Sequence, residues 1–205
     1  MPRLTDLALI TQVVAFGSQR AFGQLVQAHQ EPVRRFLCRL TGGDTMRADD
    51  LAQDTFIRAW QGLSGFRQMS GFETWLFSIA YRVFLDDERK EKRRLDAPLD
   101  LPVREGAVAY DTDQIQPANL AAPSLTGRVG GEADSDSFTL RHDLDQAFAT
   151  LSETERTCVV LQAVEGQSIK EIAVITGLNE NTVKSHLLRG KKNLAQYLRN
   201  NGYHG

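Results

Sequence analysis

The sequence is poor in cysteine and histidine, and it has no long hydrophobic run. Its 205 residues include two cysteines and four histidines, none at a spacing typical of metal ligands. Cys38 and Cys158 stand alone in apolar helical segments, which favours buried thiols over a disulfide or a metal site. No apolar stretch approaches the roughly 20 residues that cross a bilayer, and Asp6 and Gln12 interrupt any signal-peptide pattern. We expect a cytoplasmic protein without membrane insertion and without a cofactor.

The chain also lacks a strong net charge. It has 24 basic and 26 acidic residues and a formal charge of −2 at pH 7. A globally basic surface for nucleic acid is therefore excluded, and any such affinity must come from local patches. The length allows one large domain or two small ones.

The C-terminal segment 151–198 carries the most specific local pattern. Ser168 followed by Glu171 predicts a capped helix start, and the apolar run after them stops at Gly177, which tolerates the positive φ of a tight turn. Asn179 predicts the cap of a second helix. Two helices joined by a three-residue turn that contains glycine form the helix-turn-helix pattern.

The second helix of this pattern has an apolar face and a polar, basic face. The apolar residues at helical spacing are Val183, Leu187, Leu194 and Leu198. The side chains suited to phosphates or base edges are Asn181, Thr182, Lys184, Ser185, His186 and Arg189. Two lysines follow, and no acid lies after Glu180. These features together favour DNA binding over the plainer alternative, a three-helix domain with a solvated basic face.

Helical periodicity also runs through residues 4–40. Gly17 and Ser18 predict a break between two helices, with Ser18 as the second cap. Pro32 predicts either a new helix or a kink, and the Gly42-Gly43 pair predicts a stop. His29 is expected to be a partly buried helix residue rather than a ligand.

The next helical segment, residues 45–63, has a polar face that contains Asp49, Asp50, Gln53 and Asp54. Acidic side chains in the first turn of a helix interact favourably with the helix dipole. This interaction offers a structural explanation for Asp49 and Asp50. The dipole explains the rest of the stripe less well, and such a stripe could equally dock a partner.

A loop at residues 62–71 precedes a long helix over residues 72–94. A turn in this loop is expected to expose Phe66 and Arg67, while Phe72 and Tyr81 could lie on a second face of the helix. Aromatic side chains beside a basic helix can stack on unpaired bases while the cations hold phosphates. The alternative is an aromatic core with a solvated charged face, and the residues alone do not choose between the two.

Residues 96–137 show no helical or strand period. Four of the six prolines and eight acidic residues lie there, against two arginines, which predicts a flexible acidic linker. A helix is expected from Ser137 onwards. The predicted fold is all-α: two small helical domains joined by this linker, the second with a helix-turn-helix.

Three segments in this order resemble the extracytoplasmic-function group of bacterial RNA polymerase sigma factors. They are ADDLAQDTFIRAW, GFRQMSGFETWLFSIAYRVFLDDERKEKR, and LSETER followed by GQSIKEIAVITGLNENTVKSHLLRGKKNL. The resemblance implies a region 2 domain at residues 1–95, for core polymerase binding, −10 recognition and melting. It also implies a linker at residues 96–137 and a region 4 domain at residues 138–205, for −35 recognition.

The resemblance implies roles for particular residues. Those matching the helix that docks on the clamp of the polymerase's largest subunit are Asp49, Asp50, Gln53, Asp54 and Phe56. Those matching the −10 surface, which captures a flipped base and holds a strand, are Phe66, Arg67, Arg82 and Arg89. Those matching the −35 helix are Asn179, Asn181, Thr182, Lys184, Ser185, His186 and Arg189. Trp75 matches a core tryptophan.

Two positions depart from the family pattern. The family usually has Asn where Arg82 stands and Arg where His186 stands, which leaves the −10 preference open and predicts a weaker or pH-sensitive −35 contact. The implied partners are promoter DNA and core polymerase, through its clamp helices and its flap. An anti-sigma factor is a further candidate. The acidic linker is expected to lie in the polymerase's basic channel, to screen the chain's own basic faces, or only to tether.

Two other classes compete with the sigma factor. A two-component helix-turn-helix regulator has a similar pattern over residues 151–194, but it needs a receiver domain of alternating strands and helices, and residues 1–95 predict helices only. An enzyme could hold Mg²⁺ with Asp49, Asp50 and Asp54. It would also need a second carboxylate set, a phosphate loop or a nucleophile and base, and none is visible. The expected protein is not an enzyme.

Overall fold

The computed structural model describes residues 4–67, 70–96 and 143–203, except residue 145, and its regular elements there are all helices. The helices are α1 (Leu4–Phe16), α2 (Gln19–Leu40), α3 (Thr45–Gly62), α4 (Phe72–Asp96), α5 (Glu153–Ala163), α6 (Ile169–Thr176) and α7 (Glu180–Asn200). The predicted all-α fold is confirmed. The predicted linker, apart from Asp96, and the predicted helix start at Ser137 lie outside the described residues. Within the described residues, each helix is too short or too polar to span a bilayer.

Side-chain caps set helix boundaries where the sequence predicted them. Ser18 Oγ accepts from the Ala21 N–H at the start of α2. Ser168 and Glu171 form the predicted capping box of α6, and Gly177 closes that helix with a φ of 73°. Pro32 lies inside a continuous α2, so it does not start a new helix.

The N-terminal domain consists of α1 to α4 around an aromatic core. Phe36 of α2 meets Phe77 of α4 edge to face, with ring centroids 5.2 Å apart. His29 is more deeply buried than expected, because its ring packs on Phe72 and its Nε2 lies 3.3 Å from Asp6 Oδ2. This contact attaches α1 to the rest of the domain.

Two aromatic side chains of α4 are more buried than the sequence indicated. Phe72 and Tyr81, which could have lain on a second face, are both buried, at 1% and 6% exposed. Phe72 enters the N-terminal core. Tyr81 lies under the C-terminal domain beside Thr157, and burial raises its pKa to about 12. The sequence of α4 alone could not indicate that a second domain covers this position.

The C-terminal domain packs α5, α6 and α7 against one another and also touches the N-terminal domain. α6 lies against α4, and α5 lies against α2. Of the two helix-turn-helix helices, α6 packs against the N-terminal domain, and α7 packs against α5 and α6. The outer side of α7 is therefore open to solvent.

Candidate nucleic-acid and partner-binding surfaces

The start of α7 is fixed by its own cap. Asn179 Oδ1 accepts hydrogen bonds from the Thr182 N–H at 2.8 Å and from Thr182 Oγ1 at 3.0 Å. Both side chains belong to the predicted −35 set, and both are occupied in holding the helix terminus. Their first contribution is to orient the turn that presents the other polar side chains.

Beyond the cap, an exposed stripe runs along the outer side of α7. Asn181, Lys184 and Ser185 are all exposed, and they are three or four residues apart, so they share one face. Leu188 continues this face and is 73% exposed. Sequence reasoning assigned it neither to the apolar face of the helix nor to the DNA-binding face. Its spacing of four from Lys184 was the available signal.

Arg189 and His186 lie at the edge of this stripe and contact each other. An Arg189 guanidinium nitrogen is 3.3 Å from His186 Nδ1, and Arg189 Nε lies 3.4 Å from Glu155 Oε1 on α5. Arg189 nevertheless remains 60% exposed. The two contacts orient its guanidinium beside the stripe while leaving it able to bind an anion.

Gly190 sets how closely α7 approaches α5. It is buried, and a Cβ at this position would lie 2.7 Å from Val159 Cγ2. Such a distance is well inside van der Waals contact, so only glycine fits this crossing without a shift. The close crossing determines which side of α7 faces outward.

A second basic surface lies along α4. Arg82, Arg89 and Arg93 are exposed and are spaced by seven and four residues, which places them on one face. Asp86 lies on the same helix, accepts a hydrogen bond from Arg58 at 2.9 Å, and is 3.6 Å from Arg89. The arginines therefore form a row of cations with one carboxylate beside it.

The loop before α4 is arranged differently from the prediction. Phe66 is partly buried rather than exposed, with its ring centroid 5.7 Å from that of Phe72 and 5.3 Å from that of Trp75. A 3-10 turn over Leu63–Gly65, with Leu63 buried, draws the chain back onto the core. Arg67 is exposed, and Trp75 packs in the core region as expected.

An apolar groove of about 860 Å³ lies between α2 and α3. Its apolar lining is formed by Phe22, Val26, Ala52, Phe56, Ile57 and Trp60. Gln53 and Asp49, two residues of the predicted polymerase-binding set, also line it, and Asp50 and Asp54 are exposed on the same helix. The groove thus combines apolar side chains with a polar lining that includes the Asp49–Arg34 ion pair, while Asp50 and Asp54 lie outside the lining.

The expectation that Asp49 and Asp50 lie in the first turn of their helix, where they would interact with the helix dipole, is wrong. α3 begins at Thr45 under an Asp44 cap, and its first turn contains no acid. Asp49 instead forms an ion pair with Arg34 of α2. Asp44 sets the start of the helix by accepting from the Arg47 N–H, which places Asp49 and Asp50 beyond the first turn.

Neither competing class gains support. The described residues contain no group of three or more histidine, cysteine or acidic side chains that could hold a metal ion. The described part of the N-terminal half contains helices and no strand, whereas a receiver domain requires a sheet.

Comparisons with known proteins agree with this arrangement. The family model Sigma-70 region 2 matches residues 25–94, and Sigma-70, region 4 matches residues 141–194. The ECF RNA polymerase sigma factor SigM of Mycobacterium tuberculosis is 30% identical over 194 residues, covering 95% of this chain and 85% of that protein. SigW of Bacillus subtilis is 28% identical over 186 residues, covering 89% and 91%.

Solved structures give the same result. The sigma factor RpoE from Bartonella quintana, in complex with the anti-sigma factor NepR, superposes with a TM-score of 0.62 at 25% identity, covering 87% of this chain and 96% of that one. CnrH in complex with the cytosolic domain of CnrY shares the fold, with a TM-score of 0.59 at 24% identity, covering 95% and 97%. The chain belongs to the extracytoplasmic-function RNA polymerase sigma factors, which are non-catalytic proteins of transcription initiation.

Proposed function

We propose that this sigma factor recognises the −35 element with α7, recognises and holds the melted −10 element with α4 and the loop before it, and docks on core polymerase through the α2–α3 groove. The observation that carries the proposal is the outer stripe of α7, polar and exposed, on a helix whose opposite face is buried. The groove and the arginine row supply the remaining two surfaces.

For the −35 element, the stripe offers several kinds of base contact. Asn181 can pair with adenine, Lys184 and Arg189 can pair with guanine or phosphate, and the Leu188 methyl groups can pack on a thymine methyl. Each good bidentate pair discriminates by about 1–3 kcal/mol. Asn179 and Thr182 contribute by positioning the first turn of the helix.

For the −10 element, the arginine row of α4 suits the phosphates of a single strand. Arg82 and Arg89 lie two helical turns apart, which matches a chain of phosphates rather than one contact. Extruding a base costs a few kcal/mol, and a pocket that holds the base offsets this cost. We assign Phe66 to the apolar wall of that pocket, since its ring is fixed by Phe72 and Trp75, and Arg67 to its polar edge.

For core polymerase, we propose that the clamp helices of the largest subunit occupy the α2–α3 groove. Trp60 and Phe56 supply aromatic side chains, which dominate the binding free energy of many interfaces. Gln53 lines the groove, and Asp50 and Asp54 are exposed beside it on α3, which favours a basic partner. We assign the flap to the C-terminal domain, where Val174 of α6 is 55% exposed.

An anti-sigma factor is proposed as a partner because of the likeness to the RpoE structure, which is a complex with the anti-sigma factor NepR. The α2–α3 groove is its expected site, because occupying it would exclude the polymerase. The acidic linker stays a prediction. Neutralising its acids should change core affinity or the DNA binding of the free protein if it is more than a tether.

The test is in vitro transcription with core polymerase, with and without the protein, on a library varied at the −35 and −10 positions. Lys184→Ala with Arg189→Ala should lower −35 binding and leave polymerase binding intact. Asp50→Ala with Gln53→Ala should do the reverse, so each pair is the control for the other. Duplex binding without polymerase binding would refute the proposal.

Salt dependence separates phosphate contacts from base contacts. If Lys184 and Arg189 both contact phosphates, their double substitution should reduce the slope of log affinity against log salt by about 2. If they read bases, the loss should instead vary with the −35 sequence. Arg199→Ala, an exposed position ten residues further along α7, should change neither.

A further inference from the structure

The two domains are joined by an ion pair whose acid is buried. Arg35 of α2 donates two hydrogen bonds to the Glu165 carboxylate, at 2.9 and 2.7 Å. The Glu165 side chain is 2% exposed, whereas that of Arg35 is 41% exposed. Because a buried carboxylate that loses its partner is strongly destabilised, the domain contact depends on Arg35.

A second set of contacts lies along one face of α4. Thr74 Oγ1 donates to Gln167 Oε1 at 3.1 Å, and both residues are buried. Ser78 and Tyr81 continue this face one and two turns further on, and both are buried. Hydroxyl-bearing side chains return to water at small cost, so this face suits a contact that opens and closes.

The charges at the contact favour reopening. Arg156 of α5 donates to the Leu40 carbonyl across the interface at 3.2 Å. Burial lowers the pKa of Arg156, and it raises the pKa of Glu153, whose carboxyl also faces Glu88 on α4. The charged forms of Arg156 and Glu153 therefore lose hydration when the two domains are packed together, which we call the closed arrangement. They recover this hydration when the domains separate.

The closed arrangement conflicts with the promoter geometry of the proposed function. The −35 and −10 elements are centred about 25 base pairs apart, which is roughly 80 Å of duplex. A packed body of about 150 residues is only roughly 40 Å across. With α6 against α4, the outer stripe of α7 and the arginine row cannot occupy both elements at once.

We infer that the free chain is autoinhibited, and that the Arg35–Glu165 pair is the latch that holds its two DNA-binding domains together. Promoter recognition requires this latch to open. The inference rests on the proposed function for its consequence, but the closure itself can be measured without DNA or polymerase.

The closure test is NMR relaxation of the full-length free protein, which reports whether the two domains tumble together. Arg35→Ala and Glu165→Gln should each lower the ratio of closed to open forms at least about tenfold. Arg35→Glu combined with Glu165→Arg should restore it. The control is Arg58→Ala, whose ion pair with Asp86 lies within the N-terminal domain and should not affect the ratio.

The functional test is transcription at limiting core polymerase, where the two single latch variants should give several-fold more transcript than wild type. Independent tumbling of the wild-type domains, or unchanged tumbling in the single variants, would overturn the inference. Opened domains with no gain in transcript would also overturn it. If neither the wild type nor any variant gave promoter-specific transcripts, the proposed function would be contradicted. The closure of the two domains would still be decided by the tumbling data.

Discussion

Gly190→Ala should destabilise the helix-turn-helix, although alanine is normally the better helix former. Replacing glycine with alanine within a helix gains about 1 kcal/mol. Against this, the new Cβ would lie 2.7 Å from Val159 Cγ2. Val159 is 2% exposed, and its branched side chain has little rotamer freedom, so it cannot move aside. Overpacking of this kind costs about 1–3 kcal/mol, which leaves a net loss of about 1 kcal/mol.

The matched control is Gly23→Ala. Gly23 is an exposed position inside α2, and an added Cβ would meet nothing within 4 Å. This substitution should stabilise by about 1 kcal/mol, so the two glycine replacements should differ by about 2 kcal/mol. Adding Val159→Ala removes the clashing methyl group. The double variant at positions 159 and 190 should therefore be more stable than the sum of the two single effects by about 2 kcal/mol, which is the overpacking cost that the smaller side chain removes.

Local hydrogen exchange is the appropriate assay, because unfolding of two packed domains is not guaranteed to be two-state. Amides of α5 and α7 should exchange about fivefold faster in Gly190→Ala. Weaker −35 duplex binding should accompany this change, since the crossing with α5 orients the recognition stripe. If Gly190→Ala slows exchange as Gly23→Ala does, the steric argument is refuted.

Three further predictions follow from single side chains. Hydrogen bonding to Ser168 lowers the pKa of Glu171, so its stabilisation is present above the ordinary glutamate pKa and lost as pH falls through the lowered value. Glu171→Gln should remove this acid dependence from melting curves. Burial raises the pKa of Cys158 to about 11, leaving roughly 0.1% thiolate at pH 8, so timed alkylation should modify Cys38 first. His186→Arg should tighten −35 binding in fluorescence titrations, because the guanidinium adds a permanent positive charge to this helix. Unchanged melting curves, equal alkylation rates or weaker binding would contradict them.

The local features of the fold were predictable because short-range chemistry sets them. The capping box at Ser168, the left-handed Gly177 and the Asn179 cap each depend on residues within a few positions. The polar stripe of α7 also follows from helical spacing alone. The sequence therefore identified the candidate −35 helix and most of its outward side chains.

The features that were mispredicted depend on contacts distant in sequence. Phe66 is held by Trp75, Tyr81 is covered by another domain, and Asp49 pairs with Arg34 of a different helix. Leu188 was missed for a different reason. Only polar and charged side chains of this helix were considered for DNA contact, although this apolar side chain also faces solvent.

The α2–α3 groove has a kinetic consequence. It is lined by residues of the segments 19–34 and 49–60, whereas the domain contacts use Arg35, Leu40 and Thr74. A closed chain thus presents the groove to an incoming polymerase. Encounter should precede opening, as in induced fit. Substitutions at Arg35 should then leave the second-order association rate unchanged and accelerate the concentration-independent step that follows it.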